Sequence, residues 1–160
     1  MIKGKVWKFD NDVDTDQIIP SQYLLLPTIE EMKHHTFEPI DKDFSKKVTP
    51  GDIILGGENF GAGSSREQAP AVLKALGISA VIAQSFARIF FRNAINVGLP
   101  VIICKEAYNH IDNHDIIEID VVDGVIRSEK DKSQFIATKL PEHVMKILAA
   151  NGLIEYLNKQ

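Results

Sequence analysis

Between Ile53 and Ile103 short apolar runs alternate with helical patterns, and this rhythm limits the possible folds more than any other feature of the chain. Ile53-Ile54-Leu55 follows the turn residues Pro50-Gly51-Asp52 and has the length and composition of a strand buried on both faces. A glycine-rich stretch, Gly56 to Ser65, separates it from Ala69, Val72, Leu73 and Leu76, which share one face of a helix closed by Gly77. Proline is tolerated only in a helix's first turn, so Pro70 places the helix start near Glu67. The pattern then repeats. A strand is expected over Ile78 to Ala83, a helix over Phe86 to Asn96 with Gly98 as its stop, and a third strand at Val101-Ile102-Ile103. Such succession implies parallel strands joined by crossover helices.

The flanks add to this core. Residues 3–9, with Val6, Trp7 and Phe9, predict a first strand running into the acidic turn DNDVDTDQIIP. Residues 29–47 are polar, with scattered apolar positions, and predict an excursion lying over a surface. Residues 116–122 alternate apolar and acidic, and Asp123-Gly124 predicts a tight hairpin into Val125-Ile126. Pro141 opens a C-terminal helix with Val144, Ile147 and Leu148 at helical spacing, stopped near Gly152. The expectation is one α/β domain, residues 1–160, with a mixed, largely parallel core sheet.

Composition excludes several roles. The chain has 160 residues and a net charge of −4, so it lacks the basic surface that nucleic acid or an anionic membrane would require. No apolar stretch approaches the ~18 residues of a membrane span, and the N-terminus lacks the apolar core of a signal peptide; a cytoplasmic location is expected. Cys104 is the only cysteine, which rules out an internal disulfide and argues against a metal–sulfur site built from this chain alone. His110 and His114 have ligand-like spacing but no helical pattern between them. The Asp10, Asp12, Asp14, Asp16 run lacks the glycine and glutamate of a calcium loop. No metal site is expected on this chain.

Chemistry concentrates in GGENFGAGSSREQAP, residues 56–70. A glycine turn between a strand and a helix brings backbone N–H groups and the positive helix end toward a ligand. Ser64, Ser65 and Arg66 add hydroxyls and a guanidinium able to hold a carboxylate by two bonds. A phosphate loop would need a lysine that is missing. Arg66 stands where both a dinucleotide fingerprint and a nucleophile elbow need glycine. A carboxylate site and a plain serine-capped turn both remain open at this point.

The segment resembles the active-site serine motif NFGxGSSREHA of the swivelling domains of the aconitase superfamily. DVDTDQIIP and SFARIFFRNAINVGLP resemble two further blocks of that superfamily's stand-alone small subunits, in the same order. The resemblance implies a swivelling β/β/α fold. It also implies a hydro-lyase that removes water from a hydroxy-diacid and re-adds it, interconverting 2-isopropylmalate and 3-isopropylmalate in leucine biosynthesis. By the same resemblance Ser64 acts as the catalytic base, Asp16 is a second catalytic residue, and Ser65 and Arg66 bind a substrate carboxylate. A four-iron, four-sulfur cluster is expected on a large-subunit partner, with no cofactor on this chain. Tyr23-Leu24-Leu25-Leu26 occupies the place of a specificity loop, commonly YLRT in homoaconitase-like subunits; Leu25 in place of arginine favours an apolar substituent. Ala62 and Gln68 stand where many relatives have cysteine and histidine. Arg88, Arg92 and Asn93, in the SFARIFFRN block, have two readings: contact with substrate or a partner subunit and, the favoured one, helix capping and surface pairing. Dimethylmalate and homoaconitate are alternative substrates, and a non-catalytic carboxylate-binding module is the alternative of a different class.

Overall fold

The computed structural model describes residues 1–160 and contains one seven-stranded sheet in the order β4-β3-β2-β1-β5-β6-β7. Strands β1 (Ile2–Lys8), β2 (Ile53–Gly56), β3 (Ala80–Ala83) and β4 (Val101–Ile103) run parallel. Strands β5 (Ile116–Asp120), β6 (Val125–Ser128) and β7 (Gln134–Ile136) continue from β1 as an antiparallel meander. The two halves do different work.

Alternation along the parallel strands divides the core. Ile54, Val81, Ala83 and Val101 face the helices α4 (Gln68–Ala75) and α5 (Arg88–Asn96). Ile53, Leu55, Ala80 and Ile82 face the other way and pack against Ile117, Ile119, Ile126 and Phe135 of the antiparallel half. Successive side chains of a strand point to opposite faces, so one short apolar run fills both cores. The result is helix, parallel sheet, antiparallel sheet: the β/β/α layering. On the helical side, α7 (Glu142–Ala149) packs on α5, and Gly152, at φ +128°, turns the chain into α8 (Leu153–Asn158).

Several sequence expectations need correction. Residues 29–47 are no mere surface excursion. They form α2 (Ile29–Met32), a 3-10 turn and α3 (Phe44–Lys47), and they bury Met32, Phe37 and Phe44. Phe37 stacks on Phe9 with centroids 4.3 Å apart, and Phe44 meets Trp7 edge-on at 5.3 Å. Strand β5 stops at Asp120, so the turn to β6 is four residues, 121–124, rather than a two-residue hairpin; Val122 is 72% exposed there. A short helix, α6 (Lys105–His110), and strand β7 were not expected. Helix α6 buries Ala107 alone, and β7 buries Phe135 alone, too little for a periodic signal.

Candidate active site

The loop from Gly57 to Glu67 lies between β2 and α4, and two neighbours fix its path. On one side the acidic turn runs beside it: Gly61 and Ala62 N–H groups donate to the Val13 carbonyl, and Thr15 N–H donates to the Ala62 carbonyl. The Thr15 hydroxyl, 2% exposed, donates to the Ser64 carbonyl at 2.9 Å. On the other side Phe60 N–H donates to the Ser85 carbonyl, and Ala87 N–H donates to the Phe60 carbonyl. This second stitch draws the first turn of α5 against the serine loop. Gly61 permits it, because a Cβ there would lie 2.2 Å from the Phe90 ring.

Asp14 caps the one-turn helix α1 (Thr15–Ile18): its carboxylate accepts from Asp16 N–H at 2.7 Å, and Gln17 Oε1 accepts from Asp14 N–H in return. The helix carries Asp16, whose Oδ1 accepts from Arg66 Nη1 at 3.0 Å and from Ser21 N–H at 3.1 Å. Arg66 Nη1 also donates to the Ile19 carbonyl at 3.0 Å. One guanidinium nitrogen is thus held by the protein, and the others are left for a ligand. The bond from Arg66, then that from Ser21, holds the Asp16 carboxyl below its ordinary value of 3.8. Its side chain is 60% exposed.

Ser64, Ser65 and Arg66 line a cavity of about 350 Å³ whose lining also includes Arg88, Ile89 and Asn93 of α5. The lining contains two guanidiniums, hydroxyls and a side-chain amide, and no carboxylate, imidazole, amine or thiol. That is unusual in a chain of net charge −4, and it makes the cavity a receptor for anions. The serine-capped turn does not account for it: the N-cap of α4 is Glu67, and no side chain caps that end. Both serines are exposed to solvent, so the dry surroundings expected for a serine base do not exist within this chain.

The specificity segment sits apart from this cavity. Tyr23, Leu24 and Leu26 pack on the helical-side core, whereas Leu25 is 90% exposed. The Tyr23 ring stacks on His35 with centroids 3.8 Å apart, and its hydroxyl donates to Glu38 at 2.7 Å. Glu38 also bonds His35 Nδ1. Burial pushes the Glu38 carboxyl up, but the bonds from Tyr23 and His35 outweigh it and leave it below its ordinary value. The loop is therefore tethered at Ser21 through Asp16 and at Tyr23 through Glu38. Of the four loop residues, three anchor and Leu25 projects.

The pairing expected for Arg88 and Arg92 is also corrected: neither forms an ion pair, and α5 has no side-chain cap. The Cys104 thiol is 2% exposed, and burial pushes its pKa up. With no group of three or more His, Cys, Asp or Glu side chains gathered for a metal, these residues do not fit an iron–sulfur cluster.

An anion-receiving serine–arginine loop on a β/β/α domain, open toward whatever completes it, defines a swivelling domain of the aconitase type. The family model for the aconitase C-terminal domain matches residues 25–107, and the chain belongs to that family. It is 52% identical over 160 residues to the isopropylmalate/citramalate isomerase small subunit of Methanocaldococcus jannaschii, covering 100% of this chain and 95% of that one. It is 50% identical to the 3-isopropylmalate dehydratase small subunit of Hydrogenobaculum sp., covering 98% and 95%. The crystal structure of 3-isopropylmalate dehydratase from M. jannaschii superposes with a TM-score of 0.94 at 49% identity, covering 99% of this chain and 93% of that one. No helix is long and apolar enough to cross a membrane.

Proposed function

We propose that residues 1–160 act as one domain, the small subunit of a heteromeric hydro-lyase of leucine biosynthesis that interconverts 2-isopropylmalate and 3-isopropylmalate. The anion cavity at Ser64 carries this reading. Ser65 and the uncommitted nitrogens of Arg66 grip a substrate carboxylate, and Asp16 positions Arg66. Ser64, in its alkoxide form, takes the proton from the carbon beside the carbinol while hydroxide leaves the carbinol carbon. Hydroxide then adds to the carbon that gave up the proton, and Ser64 returns the proton to the carbon that lost the hydroxyl. The guanidinium of Arg66 supplies fixed positive charge beside the alkoxide.

The cavity wall has no group to accept the departing hydroxide, and its serines are open to water. A weak base works only where water is excluded and its partner groups are preorganised. Both requirements assign the other half of the site to a large subunit, and the four-iron, four-sulfur cluster belongs to that partner. Leu25 stands exposed on a loop apart from the cavity; brought against the substrate in the assembled enzyme, its hydrocarbon favours isopropyl or methyl branches over the distal carboxylate of homoaconitate. The M. jannaschii relative's name, pairing isopropylmalate with citramalate, fits such a site. The test is reconstitution with the cognate large subunit. Turnover of 2-isopropylmalate exceeding that of homoaconitate, and absent from either subunit alone, is expected. Turnover by this chain alone would overturn the reading.

A further inference from the structure

The substrate class is a diacid, and the serine loop accounts for one carboxylate only. The part of the same cavity lined by α5 is unassigned. Arg88 lies at the first position of α5, with its guanidinium paired to no acid of the chain. The other charged residue lining the cavity, Arg66, is already held on one nitrogen by Asp16. One turn further along α5, also lining the cavity, is Asn93, its side-chain amide likewise without a partner in the chain. Arg88 is exposed and Asn93 half-buried, so both are free to bond an anion that enters the cavity.

The position of Arg88 is built in. The Phe60–Ser85 and Phe60–Ala87 hydrogen bonds fasten the start of α5 to the serine loop, and Gly61 leaves room for Phe90 beneath it. Two arginines from separate elements, the serine loop and α5, lining one cavity of about 350 Å³ suit a small molecule with two negative ends. Resting on the assignment of the site at Ser64, we infer that Arg88, supported by Asn93, binds the substrate's second carboxylate and makes the cavity selective for diacids. A planar fork rather than a point charge is needed there, because a carboxylate accepts two parallel N–H bonds.

The experiment uses the holoenzyme assembled with Arg88→Gln, Arg88→Lys and Ser64→Ala small subunits. Losing a charge-assisted hydrogen-bond pair corresponds to a ~10- to 100-fold change. Arg88→Gln is expected to raise KM for the diacid by that factor, with kcat within about threefold and affinity for the large subunit unchanged; Arg88→Lys should restore only part of the loss. Inhibition by the half-ester of a malate analogue, which has one carboxylate, should be no weaker in Arg88→Gln than in wild type. An unchanged KM with weakened subunit assembly would overturn the inference and show that Arg88 faces the partner. An equal loss for the diacid and its half-ester would also overturn it. Ser64→Ala separates the two claims: near-normal turnover there defeats the site assignment itself, whereas a silent Arg88→Gln with an inactive Ser64→Ala defeats only the role of Arg88.

Discussion

Replacing Gly63 with alanine tests how the serine is held. Gly63 has φ +93°, and a Cβ there would lie 2.6 and 2.8 Å from the two carboxylate oxygens of Asp14. A side chain in this backbone region costs about 1–2 kcal/mol. Asp14 cannot swing away freely, because its carboxylate caps α1 through Asp16 N–H; losing such a cap costs about 1 kcal/mol more. Gly51 supplies the control. Its φ is +99°, but a Cβ there meets nothing within 4 Å, so Gly51→Ala carries the backbone cost alone. Urea unfolding should therefore show Gly63→Ala about 1 kcal/mol less stable than Gly51→Ala, or a melting temperature lower by about 2–4 °C. The same substitution displaces Ser64 on one side and Asp16 on the other, so the assembled enzyme should lose most of its turnover, whereas Gly51→Ala should not. Equal stability for the two variants would refute the argument that Asp14 is committed to its cap.

Other outcomes follow from the same geometry. Phe44→Ala should cost about 3–5 kcal/mol in denaturant unfolding, because the side chain is 1% exposed and packed among Trp7, Phe9 and Phe37; a cost near zero would restore residues 29–47 to a loose surface excursion. Leu25→Arg should leave stability within about 0.5 kcal/mol, since the side chain is 90% exposed, and should shift kcat/KM from isopropylmalate toward homoaconitate; an unchanged ratio would place specificity elsewhere. The Asp16 carboxyl is depressed first by Arg66, so it favours the folded state above its ordinary value of 3.8, and that contribution is lost as pH falls through its lower folded value. Asp16→Asn should flatten this part of the acid dependence, followed by Trp7 fluorescence; an identical acid profile would show that the ion pair does not couple to folding.

The parallel core was legible because each strand and helix declares itself locally. Ile53 to Leu55 and Val101 to Ile103 are apolar on both faces, and Gly77 and Gly98, both with positive φ, end their helices. Residues 29–47 were misjudged because their helices are single turns, too short to display a period, so Phe37 and Phe44 looked scattered. At the site, Ser64, Ser65 and Arg66 could be read from a glycine-rich turn lying between a strand and a helix. That Arg88 and Asn93 share one cavity with them could not. It depends on hydrogen bonds between Phe60 and residues 85–87, a pairing across the sheet that no local pattern records. The Tyr23–Glu38 tether escaped notice for the same reason.

The central claim is that Ser64 moves the proton, and proton exchange in the assembled enzyme tests it most directly. With saturating isopropylmalate in deuterated water, the wild-type enzyme should incorporate deuterium at the carbon that exchanges its proton. Ser64→Ala should lose that incorporation, and isomerisation with it, by several orders of magnitude, while binding substrate and large subunit as before. The exposed hydroxyl makes no bond to the rest of the chain, its residue being held through the Ser64 carbonyl by Thr15, so folding should be untouched. Deuterium incorporation at near wild-type rate in Ser64→Ala would show that another group is the base.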